Sequence, residues 1–391
     1  MTFASFSPLF SQDIIDTSEV TISKSMAKED RELLKNAQFF FREQVYLKAL
    51  PRYALLAEIY PTHLSFKFKT GVCYLFKTDE KQKAIEFLEY VYKKNPKMED
   101  VMFYLGRAYH LNYKFDKAIE IFQKFLAEKP PYEKKELVNR YIENCESGIK
   151  LLSNPVRCRI RNIGSVINTK EAEYVPLVSM DDSVLIFTYK GERSTGGLMD
   201  DENKPDPEGD YYEDVFISRK KGRNWQYPIG IQELNTKQDD ASVSLSPAGN
   251  TIFLYKSTNK DQGDIYISKL KGDKWSVPVN LGEPINTKFY EGSACLSADE
   301  NTLYFSSERP GGQGGKDIWK SQKLSNGRWS AAVNLGPDIN TKYNEDSPFI
   351  HPMEPCFFSV QTDTTAWEIM TFFTPSWKVI NGWMLKIWGT L

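Results

Sequence analysis

The sequence predicts an α + β protein in two parts, a stack of paired helices followed by a series of four-stranded antiparallel sheets. Three observations predict it. Helical apolar spacing with small-residue and proline landmarks recurs about every 34 residues as far as residue 154. Short alternating apolar runs then take over, in units of about 50 residues. One word, Asn-Thr-Lys, is written four times, ending at Lys170, Lys237, Lys288 and Lys342.

The first 25 residues come before both patterns. "MTFASFSPLFSQD" is apolar, rich in small residues and uncharged until Asp13. It reads as the back half of a secretory leader without its basic start, followed by a linker. Residues 26–154 carry the helical repeat. Gly71 and Gly106 stand at one landmark and Ala84 and Ala118 at another, while Pro61, Pro96 and Pro130 close successive units. The small residues let two helices approach, and Tyr74, Phe87, Tyr109 and Phe122 are expected to fill the space between them. Proline ends each second helix because it lacks the amide donor. The first unit is degenerate, with Pro51 near the start of its second helix. The segment from Tyr132 to Leu152 reads as a capping helix. This spacing resembles about three tetratricopeptide repeats, an α-solenoid that implies a groove for a partner protein.

From residue 155 to 352 each unit has one order. An alternating run opens it ("DASVSLSP", "GSACLSAD", "DSPFIHP") and an aromatic strand follows a turn ("DSVLIFTYK", "GNTIFLYKS", "ENTLYFSS"). Then comes an Asp-headed strand at Asp214, Asp264 and Asp317, and a Trp beside a Gly-bearing hairpin at Trp225, Trp275 and Trp329. The Asn-Thr-Lys word ends the unit, with Asn235, Asn286 and Asn340 in the full units and Asn168 ahead of the first. Four short strands per period make one antiparallel blade of a β-propeller. Glycines at "GDKW" and "NGRW" suit tight hairpins, and Trp supplies an apolar plate for the outer strands. The words fall where the chain leaves one blade for the next, and a short Asn side chain there is expected to bond its own backbone and fix the turn.

The order "DSPFIHP…LYFSS…GG.DIW…W…NLG…INTK" resembles the TolB-type, WD-like propeller repeat. A tetratricopeptide block ahead of it resembles periplasmic, outer-membrane-associated OmpA-family proteins of Bacteroidetes, the PorE component of the type IX secretion and gliding machinery among them. The resemblance covers roughly residues 26 to 352. It implies a non-enzymatic, protein-binding envelope component, with partners taken by the groove and the propeller loops. Such relatives reach peptidoglycan through an OmpA-like domain, and no residue of this chain matches that domain.

Residues 353–391 break the pattern, and four Trp crowd into them. Taking the third base of each codon with the first two of the next permits "DYDIFY" and a later "NLG". The spacing between the Asp and Asn so restored equals that from Asp264 to Asn280. The tail therefore reads as a frameshift product. The expectation is about three blades, the first strand of a fourth, and an unpaired edge.

The near-neutral balance, a formal net charge of −2, argues against a nucleic-acid or anionic-membrane binder. No apolar run reaches the roughly 18 residues that cross a bilayer. Five scattered cysteines form no Cys-x-x-Cys pair, and Cys73 and Cys145 sit in helical patterns as small buried groups. The three histidines, His63, His110 and His351, lie in separate segments. No Gly-x-Ser-x-Gly, His-Glu-x-x-His or phosphate-loop word occurs. No enzyme activity, catalytic residue, cofactor or resident metal is expected. "RPGGQGGKD" reads as a hairpin loop. The acidic insertion from Met199 to Asp214 offers Asp200, Asp201, Asp206 and Asp210 as weak calcium ligands, but their spacing and two prolines favour a solvated loop. Two rival readings are a glycan- or peptide-recognition propeller of an uptake system and the remnant of a propeller-bearing hydrolase.

Overall fold

In a computed structural model the described residues are 17–77, 80–153, 161–199, 209–257, 263–350, 357–363 and 366–373. They fall into two compact units, one helical and one of strands.

In the helical unit, α2 (Lys28–Arg42) pairs with α3 (Tyr46–Ile59), α4 (Leu64–Tyr74) with α5 (Gln82–Lys94), and α6 (Val101–Leu111) with α7 (Phe115–Ala127). Helix α8 (Tyr132–Ser153) packs on the last hairpin. The landmarks sit at the crossings. Ala84 and Ala118 are fully buried. A Cβ on Gly71 would lie 2.8 Å from Leu88 Cγ, and one on Gly106 would lie 2.3 Å from the Phe122 ring. Tyr74 and Phe87 stack at 5.7 Å, Phe122 stacks on Tyr141 at 5.7 Å, and Tyr109 donates a 2.6 Å hydrogen bond to Glu89. Cys73 and Cys145 are buried in the core and form no disulfide. Gly106→Ala forces a methyl group into an aromatic ring, an overpacking expected to cost about 1–3 kcal/mol, measurable by urea denaturation.

Residues 17–23, read from the sequence as leader remnant and linker, are instead helix α1 (Thr17–Ser23). Ile22 packs on the core of the first hairpins, and one polar side chain anchors the helix. Glu19 is fully buried and accepts hydrogen bonds from Ser65 Oγ (2.7 Å), Gln38 Nε2 (2.9 Å) and Lys69 Nζ (2.9 Å). A buried carboxylate so partnered ties its helix to the first two hairpins.

His110 is 5% exposed beside Arg107 and the Tyr141 ring. Burial, then the Arg107 charge, push its pKa down to about 3. The unfolded chain takes up a proton near pH 6.5 that the folded unit refuses, so stability falls as pH drops below that value. We expect a loss of roughly 1 kcal/mol by pH 5.5, and a His110→Gln variant with a flatter pH profile in chemical denaturation.

The second unit is a succession of antiparallel sheets. Sheet one holds β1 (Ala172–Val178), β2 (Val184–Lys190) and β5 (Glu213–Lys221), and two short pieces, β6 (Asn224–Trp225) and β7 (Ile229–Gly230), both pair with β5. The ribbon of β3 (Gly197–Met199) and β4 (Asp210–Tyr211) forms the base of the acidic insertion. Sheet two repeats the plan with β8 (Asp240–Leu245), β9 (Thr251–Lys256), β10 (Asp264–Lys271), β11 (Lys274–Trp275) and β12 (Val279–Asn280). Sheet three holds β13 (Ala294–Leu296), β14 (Thr302–Ser307), β15 (Asp317–Gln322) and β16 (Val333–Asn334).

Neighbouring sheets pack face to face. Ile186, Val215 and Leu234 meet Ile252, Leu254 and Trp275 of the second sheet. Phe253 and Ile265 in turn meet Leu303, Phe305 and Trp319 of the third. Trp275 is thus part of a core between sheets, while Trp225 and Trp329 are half-buried. The "RPGGQGGKD" loop folds back on its own Asp317, which accepts from the Gln313 and Gly314 amides at 2.5 and 3.0 Å.

The tail departs from expectation. β17 (Asn344–Ile350) is followed by β18 (Phe357–Asp363) and β19 (Ala366–Phe373) in a three-stranded sheet of that order. Loss of the repeat wording at Met353 does not end strand pairing, because "FFSVQT" and "AWEIMTFF" remain rich in aromatic and β-branched residues that suit a pleated surface.

Candidate functional site

The Asn-Thr-Lys corners work differently from the sequence expectation. The Asn side chain does not bond the backbone of its own turn. It reaches back about twenty residues and grips the residue after the strand-heading Asp. Asn286 Oδ1 accepts from Ile265 N–H (3.0 Å), and its Nδ2 donates to Ile265 C=O (2.8 Å). Asn340 does the same to Ile318 at 2.7 and 2.9 Å, and Asn235 to Val215 at 2.8 and 3.1 Å. A carboxamide matches the donor–acceptor pair of a strand residue, so each Asn acts as one more strand position.

The Thr of each word serves an acidic residue that sequence reading missed. Thr287 gives its amide and hydroxyl to Glu291 at 2.9 and 2.8 Å, and Thr341 gives both to Glu345 at 2.9 and 2.6 Å. Thr236 is paired with Asp240, and Thr169 with Glu173. The full signal is Asn-Thr-Lys-x-x-acid, visible in all four copies once the window is widened by three residues.

A longer word, Asn-(Ile/Leu)-Gly-x-x-Ile-Asn-Thr-Lys-x-x-Glu, starts at Asn162, Asn280 and Asn334. Its first copy is folded like the others. Asn162 Oδ1 accepts from Gly164 N–H at 2.7 Å, as Asn280 does from Gly282 and Asn334 from Gly336. The Asn168 side chain, however, has no hydrogen-bond partner among the described residues. The apolar positions of this copy are open, with Ile163 50% and Val166 42% exposed.

Sheet one also differs at its Asp. In sheets two and three, Asn280 Nδ2 donates to Asp264 (2.6 Å) and Asn334 Nδ2 to Asp317 (2.7 Å). Register puts Gly230 at that place in sheet one, since Gly230 pairs with Phe216 as Asn280 pairs with Tyr266 and Asn334 with Trp319. An open hollow of about 350 Å³ lies there, bordered by Arg193, Asp214, Phe216, Tyr227, Gly230 and Asn235. Asp214 is 1% exposed. Its Oδ2 accepts from the Thr195 amide (2.8 Å) and hydroxyl (2.6 Å), and its Oδ1 is buried with no partner. Burial raises the Asp214 carboxyl above the ordinary range, against the lowering pull of the two Thr195 bonds. The Arg193 guanidinium lies 4.6–4.8 Å from the Tyr189, Phe216 and Tyr227 rings. Nη1 donates to Pro228 C=O at 3.2 Å, and Nη2 is buried without a partner.

On the helical unit, the first helices of adjacent hairpins bring Phe68 and Tyr104 edge to face at 5.6 Å. Lys67, half-buried on the same helix as Phe68, lies 5.1 Å from the Tyr90 ring. Of the weak calcium candidates, Asp200, Asp201 and Asp206 lie outside the described residues. Asp210 is exposed and pairs with Lys190 at 3.3 Å. Among the described residues no group of three or more His, Cys, Asp or Glu is placed to hold a metal ion, and no helix is long and apolar enough to cross a membrane.

Comparison with known proteins recognises one hairpin of the helical unit. The family model for the tetratricopeptide repeat matches residues 100–130, which is α6 and α7 with their connections. No curated protein matches the chain. Among solved structures the chain is similar to TolB from Acinetobacter baumannii, at 12% identity and a TM-score of 0.36, over 55% of this chain and 44% of that one. It is also similar to a putative TolB from Agrobacterium tumefaciens, at 14% identity and a TM-score of 0.33, over 55% of this chain and 82% of that one. A puromycin-hydrolyzing peptidase from Mycobacterium tuberculosis matches at 13% identity and a TM-score of 0.35, over 54% and 31%. The chain spans less than half the length of the first of these structures.

Proposed function

We propose that this chain is a non-enzymatic scaffold that binds partner proteins in the bacterial cell envelope. The observation that carries the reading is the tetratricopeptide match on a stack of three helix hairpins. Stacks of that kind present a continuous surface to a peptide or protein. The blades supply a rigid frame, because each corner is pinned to the preceding strand through side chain and backbone.

The finer reading follows the sequence resemblance. It makes the protein a periplasmic, outer-membrane-associated member of the OmpA-family envelope proteins of Bacteroidetes, with a role in type IX secretion or gliding. The tail from Met353 is then out of frame, and a single intact frame on resequencing the gene would overturn that point.

The test is capture of envelope proteins by the purified chain, with Lys67→Glu as the probe of the helical face. We expect Lys67→Glu to weaken capture several-fold while the melting temperature stays within about 2 °C of the parent, since substitutions away from buried networks cost little. Retention of glycans with no envelope protein would defeat the proposal.

A further inference from the structure

The first Asn-Thr-Lys corner has the fold of the others without the strand they hold. Ile167 and Asn168 donate their amides to Gly164 C=O at 3.1 and 2.9 Å, as Ile285 and Asn286 do to Gly282 and Ile339 and Asn340 to Gly336. In those later corners an Asp-Ile pair heads the strand that is gripped. Asn280 Nδ2 donates to the Asp264 carboxylate and the Ile265 amide donates to Asn286 Oδ1. Ile265 C=O accepts from Asn286 Nδ2 and from the Leu281 amide at 3.2 Å. Asn334, Asn340 and Leu335 hold Asp317 and Ile318 by the same four bonds. Ile285 also shares one core with Ile265 of the sheet before and Phe305 of the sheet after. Ile167 shares its core with Leu185, Phe187, Tyr189 and Phe216, all of the sheet after. The matching positions are barer throughout. Asn162 and Ile163 are exposed where Asn280, Leu281, Asn334 and Leu335 are half-buried, and Asn168 is half-buried where Asn286 and Asn340 are buried. Among the described residues nothing bonds the Asn168 carboxamide, Asn162 Nδ2 or the Ile163 amide.

We infer that this corner is a docking site for an extended segment of a partner protein that reads Asp, then Ile or Val, then an aromatic residue. The filled corners define the ligand. Its Asp carboxylate accepts from Asn162 Nδ2. The next residue gives its amide to Asn168 Oδ1, and its carbonyl accepts from Asn168 Nδ2 and the Ile163 amide. The side chain of that residue covers Ile163, as Ile318 meets Leu335. The aromatic residue falls opposite Asn162, as Tyr266 falls opposite Asn280 and Trp319 opposite Asn334. A carboxamide satisfies both backbone groups of one strand residue, so recognition needs an extended backbone and an Asp ahead of it. The described Asp-Ile and Asp-Val pairs of this chain are already engaged. Those headed by Asp214, Asp264 and Asp317 have their own corners, Asp100-Val101 stands at the start of α6, and Asp338-Ile339 lies within a corner. Asp13-Ile14 lies outside the described residues and forms one arm of the test.

The site lies in the strand unit and the scaffold reading rests on the helical one, so a peptide tests the corner without any envelope protein. The probe is Gly-Lys-Asp-Ile-Trp-Lys-Ser, the sequence of residues 315–321, labelled with fluorescein and amidated at its C-terminus. Two altered peptides carry Asp317→Ala, which removes the carboxylate, and Ile318→Pro, which removes the amide donor. Titrated with the full chain and followed by fluorescence anisotropy, the parent peptide is expected to reach half-saturation at roughly ten-fold lower concentration than either altered one. In the protein, Asn168→Ala is expected to raise the parent peptide's half-saturation about ten-fold while the melting temperature stays within about 2 °C. Equal binding of the three peptides, no saturation below about 1 mM, or unchanged binding to Asn168→Ala would overturn the inference. Saturable binding to an Ile14→Glu variant but not to the unaltered chain would make Asp13-Ile14 of this protein the occupant, and would overturn the assignment to a partner. Peptide binding as expected with no envelope protein captured would leave the corner's chemistry standing and sink the scaffold reading alone.

Discussion

Asn286→Ala and Asn340→Ala are each expected to destabilise the strand unit by about 3 kcal/mol, and Asn168→Ala, in the same word, by less than about 0.5 kcal/mol. Asn286 is 5% exposed and Asn340 1%. Truncating either leaves a strand N–H and C=O without their partners in a dry corner, and each such group costs about 1–3 kcal/mol. The loss spreads further, because Asn286 Nδ2 also holds Asn280 Oδ1, and Asn280 holds Asp264. Among the described residues Asn168 grips no strand, so its removal exposes nothing there that was paired. Urea denaturation followed by tryptophan fluorescence checks the contrast. Equal costs at all three positions would mean that the side chain acts within its own turn, as the sequence alone suggests. Asn235→Ala should fall between these extremes, since Asn235 is less deeply buried and has no second Asn beside it.

Why the corners were legible and their partners were not follows from distance along the chain. The words repeat nearly letter for letter, and the sheet period shows itself in them. The grip spans twenty to twenty-two residues, from Asn235 to Val215, Asn286 to Ile265 and Asn340 to Ile318. Nothing in local periodicity points that far, and a short polar residue in a turn has a nearer explanation to offer. Helix α1 escaped notice for the same reason. It is seven residues long, and Glu19 is held by Gln38, Ser65 and Lys69, all from other helices. The hollow in sheet one is harder still. Gly230 looks like any turn glycine until strand register aligns it with Asn280 and Asn334. The helix landmarks were easier, because a glycine facing a large side chain recurs at a fixed period and needs no knowledge of distant pairing.

A buried ion pair between sheets three and four gives the other large effect. Asp346 on β17 accepts from Ser306 Oγ (2.9 Å), Ser293 Oγ and the Ser347 amide (2.7 Å), and pairs with Lys316 at 3.2 Å. The Lys316 ammonium lies 4.3 Å from the Tyr290 ring, and both charged side chains are largely covered, at 15% and 6% exposure. Lys316→Met is expected to cost about 3–5 kcal/mol, because it strands a carboxylate that cannot return to water. Adding Asp346→Leu should recover part of that loss by removing the stranded charge, although Ser293, Ser306 and Ser347 then lose their acceptor, a result that a simple loss of packing at Lys316 would not give. The pH dependence has a definite sign. Burial pushes the Asp346 carboxyl upward, but Lys316 and the surrounding donors outweigh it and hold the group below the ordinary carboxylate range. Its contribution is therefore complete above the unfolded value of about 4 and fades as pH falls towards the lower folded value. In Lys316→Met the largest lowering influence is gone and burial gains the upper hand. That variant should lose more stability at neutral pH than at pH 4, and the two denaturation curves should converge on acidification.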